Sequence, residues 1–248
     1  LLKCIINLRI ASRYKMITHR DSQIKTLALF DLDHTLIDVD SDYMWGQYIV
    51  EEKLVADDDY GITNRQFYEN YIDGTLDATL YNEFVARFLR SKTMPVLLQL
   101  RNNFIDKKIK PAMRPKGIVA INNHLRLGHE VVITSATNSF LVPAIAELFG
   151  IHSKNTLSTP LQIQKDLFTG FLTDRPNFKD GKLYHINKWL KNMERENLYF
   201  EGTYAYSDSK NDIPLLEWSD NPVCITPDEV LAKHALTRNW PIENWSVR

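Results

Sequence analysis

Asp31 and Asp33 stand one residue apart in Asp31-Leu32-Asp33-His34-Thr35, directly after the apolar run Thr26-Leu27-Ala28-Leu29-Phe30. A second run, Val132-Ile133-Thr134, delivers Ser135 ahead of Ala136-Thr137-Asn138. A third, ending at Ser207, delivers Asp208, Asn211 and Asp212, and Gly181-Lys182 heads an expected helix. Taken singly, each has a bland reading: a solvated turn capped by Thr35, an N-cap at Ser135, a surface lysine, an acidic helix start. Taken together they suit a different chemistry. Two carboxylates on one loop and a third from another strand repel unless a cation lies among them. An all-oxygen site with few carboxylates suits Mg²⁺, which keeps waters and accepts a phosphate oxygen. A lysine and a hydroxyl facing the same point supply charge and a donor for a phosphoryl group. Backbone N–H groups in the turn after Asp31 and at the helix start after Ser135 add more. The set points to phosphoryl transfer, and no Gly-x-x-x-x-Gly-Lys-Ser/Thr loop occurs in the sequence.

These residues need elements that bring them to one place. Short apolar runs ending in polar loops read as buried parallel strands, whose carboxyl edge is where such sheets bind ligands. From residue 112 onward strands and helices alternate: helix 117–127, strand 130–134, helix 140–149 stopped by Gly150, helix 183–193, strand 203–207, a short helix near 213–218, strand 223–225 and helix 228–234. Segments 161–164 and 168–172 read as a hairpin. Between the first two strands, 43–54, 65–72, 77–89 and 95–107 carry apolar residues at helical spacing, so 42–111 reads as a helical insertion. The expected organisation is a core of 25–41 with 112–248, a helical cap of 42–111, and a loosely ordered extension over 1–24, of which 1–15 read as an alternative start.

Composition excludes several classes. The chain has 248 residues, 44% of them apolar, with 30 basic against 31 acidic side chains. Near-neutral charge gives no electrostatic reason for a nucleic-acid or anionic-membrane partner. No apolar stretch approaches the ~18 residues of a membrane span. Two cysteines, Cys4 and Cys224, make neither a disulfide scaffold nor a cysteine metal cluster, and the histidines show no zinc-ligand spacing.

On these residues the sequence resembles the haloacid dehalogenase superfamily, in its phosphoserine-phosphatase-like subfamily IB, some members of which are similar to histidinol phosphatases. Asp31-Leu32-Asp33-His34-Thr35 looks like motif I, Ser135 like motif II, Lys182 like motif III, and Asp208-Ser209-Lys210-Asn211-Asp212 like motif IV, over a span from Leu27 to Asp212. The resemblance implies an α/β fold with a Rossmann-like parallel sheet and an inserted α-helical cap. It implies a cytoplasmic, Mg²⁺-dependent phosphomonoesterase acting on a small-molecule phosphate ester, with no nucleic-acid or membrane partner; the oligomeric state stays open. Asp31 would be the nucleophile, forming an aspartyl-phosphate, and Asp33 the general acid and base. The metal ligands would be Asp31, the Asp33 carbonyl and Asp208, with Asp212 a further ligand or a supporting residue. Ser135 and Asn211 would serve the phosphate, and Lys182 would neutralise it. Two rivals share the residues: a phosphotransferase that passes the group to an alcohol, and a non-catalytic phospho-ligand binder.

Asp40 lies where phosphoserine phosphatases carry a glutamate for the substrate amine, with Asp38 and Asp42 beside it. It reads equally as a substrate contact or as the N-cap of the next helix. The cap arginine of those enzymes falls at Val85, with Arg87 facing another way. An amino-alcohol phosphate without a carboxylate, such as histidinol phosphate, therefore fits better than phosphoserine. Motif II also departs, with Ala136-Thr137-Asn138 in place of a glycine pair. Trp45, Tyr48, Phe67, Tyr68, Tyr71, Phe84 and Phe88 are expected in the core of the helical cap.

Overall fold

The computed structural model describes residues 23–55 and 59–246, so the expectations for 1–22, including the alternative start, lie outside the described residues. Strand β1 (Gln23–Phe30) begins two residues before the expected edge of the core. Helices α1 (Ser41–Glu51), α2 (Asp59–Asp73), α3 (Ala78–Arg90) and α4 (Met94–Phe104) follow, and the chain returns through a π-helical turn, Ile105–Ile109. Next come α5 (Pro115–Arg126), β2 (Glu130–Asn138), α6 (Val142–Ala146), β3 (Thr156–Thr159), and the antiparallel pair β4 (Leu161–Gln164) and β5 (Leu167–Leu172). The chain closes with α7 (Asp180–Arg195), β6 (Leu198–Ser207), α8 (Ile213–Trp218), β7 (Asn221–Ile225), α9 (Glu229–Arg238) and β8 (Ile242–Glu243).

Six strands form one parallel sheet in the order β3-β2-β1-β6-β7-β8. The apolar run of β1 is fully buried because it is the sheet's interior, with helices on both faces. In register, Phe30 lies level with Ile133 of β2 and Tyr206 of β6. That register brings the polar ends of three strands to the same edge.

The expected helix 140–149 is a short α-helix that tightens into a 3₁₀ turn at Glu147–Phe149 and ends on Gly150, whose φ is +72°. Strand β6 runs five residues further back than read from the sequence, through Gly202, whose positive φ of +81° resembles a break. The edge strands β3 and β8 escaped the sequence reading; at four and two residues they carry no periodicity.

The helical layer and the sheet share one hydrophobic cluster. Trp45 of α1, fully buried, meets Phe104 of α4 edge-on at 5.2 Å and Phe140, beyond β2, at 5.9 Å. The chain enters and leaves this layer side by side. The Asp38 N–H donates to the Ala112 carbonyl, that of Arg114 donates to the Leu36 carbonyl, and the Arg114 guanidinium pairs with Asp38.

Candidate active site

Asp31 leaves β1 6% exposed, its N–H held by the Tyr206 carbonyl at 2.9 Å. Lys182, on the first turn of α7, donates 2.7 Å to Asp31 Oδ1 and 2.6 Å to Asp212 Oδ2. Helix α7 starts this close because residue 181 is glycine: a Cβ there would lie 2.0 Å from the Pro176 carbonyl oxygen. Asp212 Oδ2 also accepts from Ser207 Oγ at 2.8 Å, so Asp212 anchors Lys182 rather than turning toward Asp208. Thr35 Oγ1 lies 3.0 Å from Asp31 Oδ2 and 3.1 Å from Asp208 Oδ1 and tethers motif I to motif IV.

The electrostatics follow from burial. Desolvation, opposed by Lys182 and reinforced by Asp212 and Asp33, pushes Asp31 up to about 7. Burial, with Asp31 and Asp212 adding, holds Asp208 well above the usual carboxylate range. Burial alone would lower Lys182, but Asp212 and Asp31 hold its pKa above the ordinary lysine value. Asp31 and Asp212 thus share one buried lysine while Asp208 adds a further buried carboxyl group beside them, an excess of negative charge that a divalent cation would offset. Among the described residues no three carboxylate, histidine or cysteine side chains form a ready ligand cluster. The donor set still fits a hard cation: two carboxylates joined through Thr35, with the remaining positions open to main-chain, water or substrate oxygens.

Asp33 is held by three donors. The Ser41 N–H reaches its Oδ1 at 2.7 Å, and Ser135 Oγ and Thr137 Oγ1 each reach Oδ2 at 2.9 Å. This revises the place of Ser135, which is fully buried and committed to Asp33, while Ala136 and Thr137 line the cleft. The bulkier motif II loop adds to this: the Thr137 side chain, also bonded to Asp33, stands where a glycine would have none.

The cleft lies between this edge and the helical layer. Asp31, Asp33, Lys182, Asn211 and Asp212 line its floor, and Tyr43, Phe67, Tyr68, Tyr71, Tyr81 and Asn82 line its roof. Asp40 is the N-cap that one expectation named, and it lines the cleft as well. Its Oδ1 accepts the Tyr43 N–H at 2.8 Å as the N-cap of α1, and its side chain also lines the cleft, where burial and Asp33 push it up to about 7. Phe67, Tyr68 and Tyr71 depart from their expected place, since they face the cleft. Trp45, Tyr48 and Phe88 are core, Phe84 packs against it, Val85 is buried there too, and Arg87 is exposed.

Four residues were missed from the sequence. Asp42 lines the cleft and accepts 2.6 Å from Asn138 Nδ2, and Thr137 and Asn82 line it too. Asn177 is fully buried and donates through Nδ2 to Thr134 Oγ1 and to the Ser135 and Leu157 carbonyls, riveting the loop before Lys182 to β2 and β3. Only the cluster Asp38, Asp40, Asp42 carried a signal, and it was read for Asp40.

From the core, Lys179 Nζ donates to the Gly74 carbonyl at 3.2 Å and Lys210 Nζ to the Ile72 carbonyl at 3.0 Å, both at the carboxyl end of α2. Among the described residues, no helix is long and apolar enough to cross a membrane.

A family model described as haloacid dehalogenase-like hydrolase matches residues 28–217. A histidinol-phosphatase of Neisseria meningitidis is 35% identical over 90% of this chain and 100% of its own. A phosphoserine phosphatase of Mycobacterium tuberculosis is 25% identical over 89% of this chain and 71% of its own. A solved structure from Bordetella pertussis Tohama I, of unknown function, superposes with a TM-score of 0.83 at 31% identity, covering 90% of this chain and 100% of that one. A substrate-bound phosphoserine phosphatase superposes at 0.62 with 16% identity over 90% and 93%, a likeness of fold.

Proposed function

The chain belongs to the haloacid dehalogenase-like hydrolases and is a phosphatase of small phosphate esters; from that premise we propose that its substrate is an amino-alcohol monophosphate of the histidinol phosphate kind. The observation that carries this reading is the make-up of the cleft. Among the described residues Lys182 is its one lysine or arginine, bound to Asp31 and Asp212, while Asp40 and Asp42 line it beside the aromatic rings. An ammonium finds acceptors there and a substrate carboxylate finds no arginine, which disfavours phosphoserine. The histidinol-phosphatase relative supports the same choice.

In the proposed reaction Asp31 attacks phosphorus in line and becomes an aspartyl-phosphate, while Asp33 gives a proton to the departing alkoxide. Asp33 then takes a proton from the water that cleaves the acyl-phosphate. Lys182 stays anchored to Asp212 throughout and screens the charge on Asp31 and the phosphoryl group. Asn211 and Thr137 bound the phosphate end. A Mg²⁺ ion held by Asp31, the Asp33 carbonyl and Asp208 would neutralise phosphate charge and favour the ionised form of Asp31. The helical layer serves as the lid that closes over the leaving group.

The test is phosphate release with Mg²⁺ over amino-alcohol, sugar and nucleoside monophosphates. The expected result is highest kcat/KM on histidinol phosphate. Asp31→Asn is expected to lose turnover of an aryl phosphate by a factor of at least ~10³ with its melting curve retained. Appreciable residual turnover would remove Asp31 from this role.

A further inference from the structure

We infer that Asn82 is a specificity-determining residue that accepts a hydrogen bond from a ring N–H of the leaving alcohol; this rests on the phosphatase reading above. Asn82 stands on α3, 2% exposed, and lines the cleft. Its Nδ2 donates 2.8 Å to the Ala78 carbonyl, which fixes the orientation of the amide, and its Oδ1 is buried with no donor among the described residues. A buried acceptor without a donor is destabilising, so it is retained where something else supplies the donor.

The surroundings say what kind of group that is. Tyr43 and Tyr68, which line the same cleft, stack with ring centroids 4.3 Å apart, and Phe67 and Tyr81 lie 5.3 Å apart. These rings offer flat apolar faces to a planar group. Asp40 serves an aliphatic ammonium. Asn82 Oδ1 adds a neutral acceptor beside aromatic walls, which suits the N–H of a nitrogen heterocycle. Phosphate, ammonium and heteroaromatic N–H together define the substrate class.

The experiment compares histidinol phosphate with phenylalaninol phosphate, which keeps the ammonium and a planar ring and lacks the ring N–H. In the unaltered protein kcat/KM is expected to favour histidinol phosphate at least ten-fold, mainly through KM. Asn82→Leu keeps the bulk and removes the acceptor, and is expected to bring the ratio close to one. An unchanged ratio in the variant, as when a water fills the place, overturns the inference, as does an equal loss on both substrates. Should Asn82→Leu fail to fold, as judged by its melting curve, the unaltered protein still decides: equal kcat/KM on the two substrates overturns the proposal. Failure of the unaltered protein to release phosphate from any ester would instead sink the phosphatase reading itself.

Discussion

Asp40 caps α1 and lines the cleft, and its titration follows from where it sits. Burial and the neighbouring Asp33 raise it from 3.8 to about 7. A raised folded-state pKa means that the folded protein holds this proton more tightly than the unfolded chain does. The corresponding stability is fully present below about pH 4 and is lost as pH rises through about 7. The metal-free protein is therefore expected to melt at a lower temperature at pH 8 than at pH 5, and Asp40→Asn is expected to flatten that slope. Thermal scans across the range check both. At this scale the motif residues were legible because type and spacing encode them: Asp31, Lys182, Asp212 and Asn211 converge as their motifs imply. Ser135 was not legible in the same way. Its partner is fixed by the conformation of a loop bulkier than the glycine form, in which Thr137 lines the cleft. Asn177 was invisible because its three acceptors come from β2 and β3, far away in sequence.

The elements that carry strong periodicity were readable, and the ones that depend on neighbours were not. α3 and α5 show a clear apolar face, and the β4–β5 hairpin shows its turn, whereas β3 and β8 exist because a longer strand pairs with them. The junction at the end of α2 belongs to the second kind. The carbonyls of Ile72 in its last turn and of Gly74 just beyond it are met by Lys210 and Lys179 from the core, so the helix end is closed by another part of the chain. Exposed hydrogen bonds of this kind contribute ~0.5–1.5 kcal/mol each. Removing both lysines, in a Lys179→Ala/Lys210→Ala variant, is expected to raise KM about three- to ten-fold by weakening closure, with kcat changed less. Steady-state kinetics on histidinol phosphate give the split between the two constants.

For the whole molecule, the buried excess of carboxylates makes cation binding and stability one quantity. With Mg²⁺ at about a hundred times its dissociation constant, the folded state is expected to gain ~2.7 kcal/mol. The gain is expected to grow from pH 5 to pH 8 as the protons on Asp31 and Asp208 give way; differential scanning fluorimetry with and without EDTA measures it. The paired crossing at Leu36–Asp38 and Ala112–Arg114, sealed by the Asp38–Arg114 ion pair, has a consequence of another order. The chain crosses between sheet and helical layer at this one seam, and the layer is bound to the core again through the shared hydrophobic cluster and through the Ser41 N–H on Asp33. A change in the jaw that grips the alcohol is thereby felt on the anvil that breaks the ester, because Asp33 leans on Ser41, the first residue of α1, and Asn138 on Asp42.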